Sequence, residues 1–353
     1  VGKAVSRVAL LMLAVALLLA VGCKEDGVRR ASSPVTAVDS LRSKDWRPVL
    51  IGSRYGYAND DNRLVLPPLY DEARYFSEGL AYVRIGDETG YIDASGKRVI
   101  ERGGGDFSSG LAVVMKRAEE QAGKAGEHWT YIDKHGEFAL RTDYYRANTF
   151  SEGLASVVPE ENGEAVFIDP EGNVALSGGY LYAGDFREGF AVVFKDGKWG
   201  FVDKKGMPLS GFVYDAARGF SEGKAAVMTG NRWGFIGRSG QEMIEPRYEE
   251  VGRFSEGFAK VRLGGLWGFV DGSGAVKIEP KFEDAKDFSE GLAPVRQPGG
   301  LWGYIGAGGG YRIPPRFEAA YDSENRMMLV KKPAAVDYGY VDQDGEDVVF
   351  TPE

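Results

Sequence analysis

Six glutamates stand at one recurring place in this chain: Glu78, Glu152, Glu188, Glu222, Glu256 and Glu290. Paired carboxylates are the usual equipment for glycoside hydrolysis, and a row of them could also gather cations or a basic partner. Each of these glutamates, however, sits inside a phrase that is copied along the chain, and catalytic residues break a repeat locally instead of recurring with it. No Ser/His/Asp set repeats, and no Gly-x-Ser-x-Gly motif is present. The Gly103-Gly104-Gly105 run does not join a strand to a helix, as phosphate loops do. The two histidines, His128 and His135, lie in one repeat without the soft ligands that a zinc site needs. Asp342-Gln343-Asp344-Gly345-Glu346-Asp347 lacks the terminal Glu spacing of a calcium-binding EF-hand loop and reads as an Asp-x-x-Gly turn. The sequence therefore predicts no catalytic residues, no cofactor, no metal and no enzyme activity.

The remaining chemistry lies near the start. Lys3 and Arg7 precede an apolar run from Val8 to Val21, followed by Gly22 and Cys23. A cationic n-region, an apolar h-region and a small-residue cleavage site make a secretory signal over 1–22. Cys23 is the single cysteine of the 353 residues, so no intramolecular disulfide can form. Its place after Ala20-Val21-Gly22 resembles the lipobox of bacterial lipoproteins. That resemblance implies a lipid on Cys23, an exported protein anchored at the cell envelope, and, with Lys24 next, the outer membrane over the inner. Residues 23–45 are polar and aperiodic and read as a flexible tether. The formal net charge of −9, more acidic still once Lys3 and Arg7 are removed, speaks against a nucleic-acid partner.

The elements that position these side chains lie in residues 46–353. Phe-Ser-Glu-Gly begins at Phe76, Phe150, Phe220, Phe254 and Phe288, with variants at Phe107 and Phe186; the starts are 31, 43, 36, 34, 34 and 34 residues apart. A fixed period in this range marks a repeat architecture. Each copy carries three alternating segments. In the first, Ala and Val hold (Ala259 and Val261 in the Phe254 copy) while the residue between them wanders through Tyr82, Val113, Ser156, Val192, Ala226, Lys260 and Pro294. The second is Trp-Gly-Phe-like, at Trp199, Trp233, Trp267 and Trp302. The third ends in Ile-Glu-Pro, and proline places it at a strand end or sheet edge. Turns of the Asp-x-x-Gly type separate the second and third segments. In Phe-Ser-Glu-Gly the serine is expected to accept a local backbone bond and the glycine to take positive φ.

The Trp-Gly-Phe and Phe-Ser-Glu-Gly-Leu-Ala phrases resemble the WG-repeat (KWG repeat) family of exported and cell-surface bacterial proteins. That resemblance implies a β-rich array without an assigned reaction. The expected fold is all-β: tandem repeats of about 34 residues, about nine in number, three short antiparallel strands each, as an open or superhelical array, with a β-propeller as the alternative. The expected function is a lipid-anchored, non-catalytic scaffold for an envelope protein; a glycan- or peptidoglycan-binding surface is the alternative. Glu256, Lys260, Arg262 and Lys281, read as positions whose identities vary between units, form the candidate interaction surface. The four Trp-Gly tryptophans are assigned to the repeat core, because Trp and the aromatic two residues on leave a strand on the same face. Residues 116–127, the one long insertion, read as an extended hairpin loop.

Overall fold

A computed structural model describes residues 46–116 and 128–352. The signal, Cys23, the tether and nearly all of the insertion lie outside the described residues. The described chain is all β, with no helix. Its strands form nine small sheets, taken in chain order, each open and none closed into a barrel. Seven of the nine have four strands, one more than the three legible segments. In six of these seven the extra strand comes first, at or just before the Phe-Ser-Glu-Gly phrase, and is often only two residues long, as at Glu72–Ala73, Ala216–Ala217 and Asp284–Ala285; in the first sheet it is Thr351–Pro352. A run that short carries no visible alternation.

The Phe254 unit shows why the phrases fold as they do. Its strands are Glu250–Ser255, Phe258–Leu263, Leu266–Asp271 and Val276–Phe282, each antiparallel to the next. Ala259 pairs with Val270 and Val261 with Gly268, and these small and branched side chains are fully buried between units. Trp267 pairs with Phe282 and Phe269 with Ile278, so the outer strand gains residues there and bulges. The bulge explains the Trp-Gly signature. A Cβ on Gly268 would sit 2.4 Å from the Ile278 carbonyl oxygen and 2.6 Å from the Pro280 nitrogen, so only glycine lets the bulged strand approach.

Phe254, Phe269, Ile278 and Phe282 fill the interior, with the Phe235 ring of the preceding unit 4.9 Å from Phe254. Such ring contacts, T-shaped or tilted, recur at each junction from Tyr91–Phe107 to Phe269–Phe288. Each Asp-x-x-Gly turn closes as expected. The Gly274 amide donates to the Asp271 carbonyl, and the Asp271 carboxylate accepts from the Ser273 and Ala275 amides. Those bonds, with Ser273 Oγ and Lys277, hold the Asp271 carboxyl well below the usual carboxylate range.

The two ends of the array meet. Arg47, 3 % exposed, donates to the Asn59 carbonyl and Asn62 Oδ1 in its own unit and points at Met327 Sδ of the last one. The Leu50 amide donates to the Tyr340 hydroxyl at 3.0 Å. Residues 63–64 pair in parallel with Thr351 and Pro352. Of the two arrangements expected from sequence, the propeller accounts for these contacts.

Candidate functional site

In Ser255-Glu256-Gly257-Phe258 the Glu256 backbone has φ +54° and Gly257 has φ +82°. Two successive positive φ values define a type I′ hairpin turn. The same two-residue turn recurs at Glu78, Ser109, Glu152, Glu188, Glu222 and Glu290, all near φ +50°. Glutamate in this left-handed region is strained by about 1 kcal/mol, and Asn or Gly would be easier choices.

The strain is offset across the unit boundary. Glu256 accepts from the Gly291 amide of the next unit at 2.8 Å; Glu222 accepts from the Glu256 and Gly257 amides at 2.6 and 2.8 Å. Glu78, Glu152 and Glu188 do the same to Gly110, Gly189 and Gly223 at 2.9–3.0 Å, and Glu290 to Arg326 at 2.7 Å. The serines point the same way. Ser77, Ser151, Ser221, Ser255 and Ser289 each donate Oγ–H to a main-chain carbonyl of the following unit (Phe107, Phe186, Phe254, Phe288 and Ser323) at 2.6–2.7 Å. The phrase is thus a joint, not a solvated turn, and its serine is a donor to a neighbour where a local acceptor was expected.

A second set of bonds crosses the same boundaries at four units whose Trp-Gly-Phe position holds tyrosine. Tyr57, Tyr91, Tyr131 and Tyr304 donate to the carbonyls of Arg74, Gly105, Asn148 and Tyr321 at 2.5–2.8 Å. Burial pushes all four phenols well above the usual tyrosine range, so they remain donors.

These findings divide the expected surface residues. Glu256 is exposed, but its carboxylate is committed to Gly291. Lys260 is half-buried: its Nζ donates to the Ala285 carbonyl of the next unit at 3.0 Å, sits 3.8 Å from Asp287 and caps the Trp267 ring at 5.3 Å. Neither residue is the freely replaceable partner-facing position that its place in the sequence suggested. Arg262 folds onto its own hairpin, Nε donating to Gly265 at 3.2 Å, and Lys281 is exposed on the outer strand. Trp267 and Trp302 are buried, while Trp199 and Trp233 are half-buried. Trp267 and Trp302 therefore cannot serve as stacking platforms for a sugar.

Sequence reasoning missed the short first strands. Their residues just before the Phe position approach those of neighbouring units: Arg74 lies 3.7 Å from Asp106, Arg253 3.8 Å from Asp287, and Arg218 4.0 Å from Glu250. Arg253 and Asp287 hold the same position one repeat apart and the other two pairs join nearby positions, so the first strands of successive sheets lie side by side as an inner wall. Burial raises the Asp287 carboxyl, against the pull of Lys260 and Arg253, and lowers the Lys286 ammonium. Among the described residues no group of three or more His, Cys, Asp or Glu side chains is arranged to hold a metal.

Successive small sheets with one recurring joint define a β-repeat protein. The profile of the WG containing repeat matches residues 55–88, 129–158, 167–199, 199–233, 233–267, 267–302 and 302–332, and the chain belongs to that family. The profile's frame runs from Trp to Trp and so straddles two sheets. A search of curated proteins finds no match. Among solved structures, a eukaryotic initiation factor aligns with a TM-score of 0.59 at 14 % identity, over 87 % of this chain and 95 % of the other. AztD from Citrobacter koseri gives 0.43 at 12 % identity over 87 % and 95 %, and BamB from Moraxella catarrhalis 0.40 at 10 % over 86 % and 95 %. The first likeness shows a shared fold.

Proposed function

We propose that the protein is a non-catalytic scaffold, exported and held at a bacterial cell envelope by lipid on Cys23, which binds another protein through its inner wall. The observation that carries this reading is a contrast between positions. The joint residues repeat because every unit needs the same joint. The two residues before each Phe position instead read Arg74-Tyr75, Gly105-Asp106, Asn148-Thr149, Gly184-Asp185, Arg218-Gly219, Gly252-Arg253, Lys286-Asp287 and Tyr321-Asp322. Many of them are exposed, including Asp106, Asn148, Asp185, Arg218, Arg253 and Asp322. Folding does not require this diversity, and a wall of unlike polar groups is what selective recognition uses. The Cys23 anchor and the envelope location are supported by the sequence alone.

The test has two arms. Mass spectrometry of the processed protein should find a lipid-modified Cys23; an unmodified mature N-terminus elsewhere in the chain removes the anchor. Cross-linking in envelope preparations should then capture a defined protein with the parent and with Lys281→Ser, but not with the pair Arg253→Ser and Asp322→Ser. Loss with Lys281→Ser instead would return the surface to the outer strands. Equal capture by all three would remove the inner wall from the reading.

A further inference from the structure

The tryptophans of the four Trp-Gly units differ in one respect. Arg218 covers the Trp233 ring at 4.6 Å and Lys260 covers Trp267 at 5.3 Å. Lys286 and Arg296 lie over Trp302 at 5.9 and 5.5 Å. Among the described residues no cation lies over Trp199. An indole face attracts a cation electrostatically, and three of the four units satisfy that face from within the chain.

Two positions supply the cation over Trp233 and Trp267 and one of the two over Trp302, where Arg296 lies nearer, and they compensate for each other. One is the second residue before the Phe position, the other the wandering residue of the next strand. The Phe220 unit has Arg218 with Ala226, the Phe254 unit Gly252 with Lys260, and the Phe288 unit Lys286 with Pro294. They share one space: a Cβ on Gly252 would lie 2.7 Å from the Lys260 Cγ. The Phe186 unit has Gly184 with Val192, so neither position offers a cation.

What remains there is a hollow of about 290 Å³ lined by Trp199, Tyr182, Gly184, Asp185, Val192 and the Arg218 stem, among others. The Tyr182 ring stands edge-on to Trp199 at 5.2 Å. Asp185 adds a carboxylate. Arg187 also lines the hollow, its Cδ 3.2 Å from where a Cβ on Gly219 would sit, but it does not lie over the Trp199 ring. The Arg218 guanidinium is occupied over Trp233 and donates to the Val251 carbonyl.

We infer that the hollow over Trp199 binds an alkylammonium or guanidinium group from outside the chain, in the place where the sister units hold their own lysine or arginine. This deepens, and rests on, the reading of the inner wall as the binding surface. A basic side chain of the bound protein and a free organic cation present the same chemistry, and the test separates them.

The protein, labelled with 5-fluorotryptophan, is titrated with n-butylammonium and followed by fluorine NMR, the Trp199 signal assigned from Trp199→Phe. The expected result is a saturable shift of the Trp199 signal at millimolar ligand, with Trp233, Trp267 and Trp302 unmoved. Gly184→Arg, which refills the hollow as Arg218 does its own, should abolish the shift. A Cβ at Gly184 meets only ordinary contacts of 3.6 Å, so this variant is expected to fold. Asp185→Asn should weaken binding about threefold, as the loss of one exposed charge contact. Lys260→Ala should make Trp267 responsive, a gain that mere loss of structure would not give. An acetylated, amidated Gly-Lys-Gly peptide binding more tightly than butylammonium identifies a protein side chain; equal binding identifies a free cation.

No shift at Trp199, equal shifts at all four tryptophans, or the same response to neutral n-pentanol overturns the inference. Failure of this titration with inner-wall capture intact would remove the cation site alone. Failure of capture with the titration intact would remove the scaffold reading and leave the site.

Discussion

The joint between the Phe220 and Phe254 units and the junction between the first and last units do the same work with different residues. The first uses Ser221 and Glu222, reaching the main chain of the next unit. At the other, Asn325 stands where the glutamate would be. The bonds there come from singular residues: buried Arg47, the Tyr340 hydroxyl, and a two-residue strand at Thr351–Pro352. A repeated joint reads backbone, which every unit has, so one phrase serves many boundaries. The seam reads side chains found once, so it fits only its own partner. A third boundary, from Phe107 to Phe150, has neither device: Ser109 replaces Glu, and no Ser108 bond to the next unit is present among the described residues.

The comparison can be broken first at the core that regular units share. Phe269→Ala, at a fully buried ring, should cost about 3–5 kcal/mol in denaturant unfolding; a loss under about 1 kcal/mol would show that the joints, not the rings, hold the units together. At the seam, Arg47→Ala should cost about 1–3 kcal/mol, since it strands half-buried acceptors. A cost near zero would mean that the ends meet without stabilising each other.

The regular joint is sharpened by a pair of variants. Glu222→Ala should lose about 1 kcal/mol, because the alanine keeps the strained φ and loses both bonds, while Glu222→Gly should lose less by relieving the strain. Equal losses would remove strain from the account. The unlatched boundary offers the reverse: Ser109→Glu should gain up to about 1 kcal/mol by giving the Gly153 amide an acceptor. A destabilised Ser109→Glu variant would show that the two boundaries differ in geometry as well as in residues.

The smallest effect concerns pH. The carboxyls of Asp93, Asp169, Asp215 and Asp271 are held below their ordinary value by turn and side-chain bonds. Their contribution is therefore complete above the unfolded carboxylate pKa, about 3.9, and is lost as the pH falls through and below it. Asp271→Asn should flatten the melting temperature slightly between pH 4 and pH 2, and an unchanged profile would contradict the assignment.

Much of this fold was legible because its signals are local. Asp271 to Gly274 specifies its turn within four residues, and Ala259, Val261 and Trp267 specify strands by alternation. Glu256 was misjudged because a turn glutamate looks the same in sequence whether it faces water or a neighbour's amide. The only local hint was its positive-φ position, a poor place for glutamate unless something rewards it. The inner wall was hidden because a two-residue strand such as Asp284–Ala285 has no period. The exchange between Gly252/Lys260 and Arg218/Ala226 becomes readable only once both positions are known to face the same indole. The seam was hidden for another reason: Arg47, Tyr340 and Thr351 belong to the two least typical units and have no copies to align.

The joints also have a direction. Each of the five joint serines donates forward, and each joint glutamate accepts from an amide that lies later in the chain. A ribosome releases the unit that asks before the unit that answers, so assembly can follow the order of synthesis, each new unit settling on one already docked. The exception is the first unit, whose Arg47 and Leu50 look to Met327 and Tyr340, some 280 and 290 residues away. That edge emerges first and is covered last. For most of the time the chain is being made it is an open strand, the stage at which a chaperone or a second nascent copy would find it.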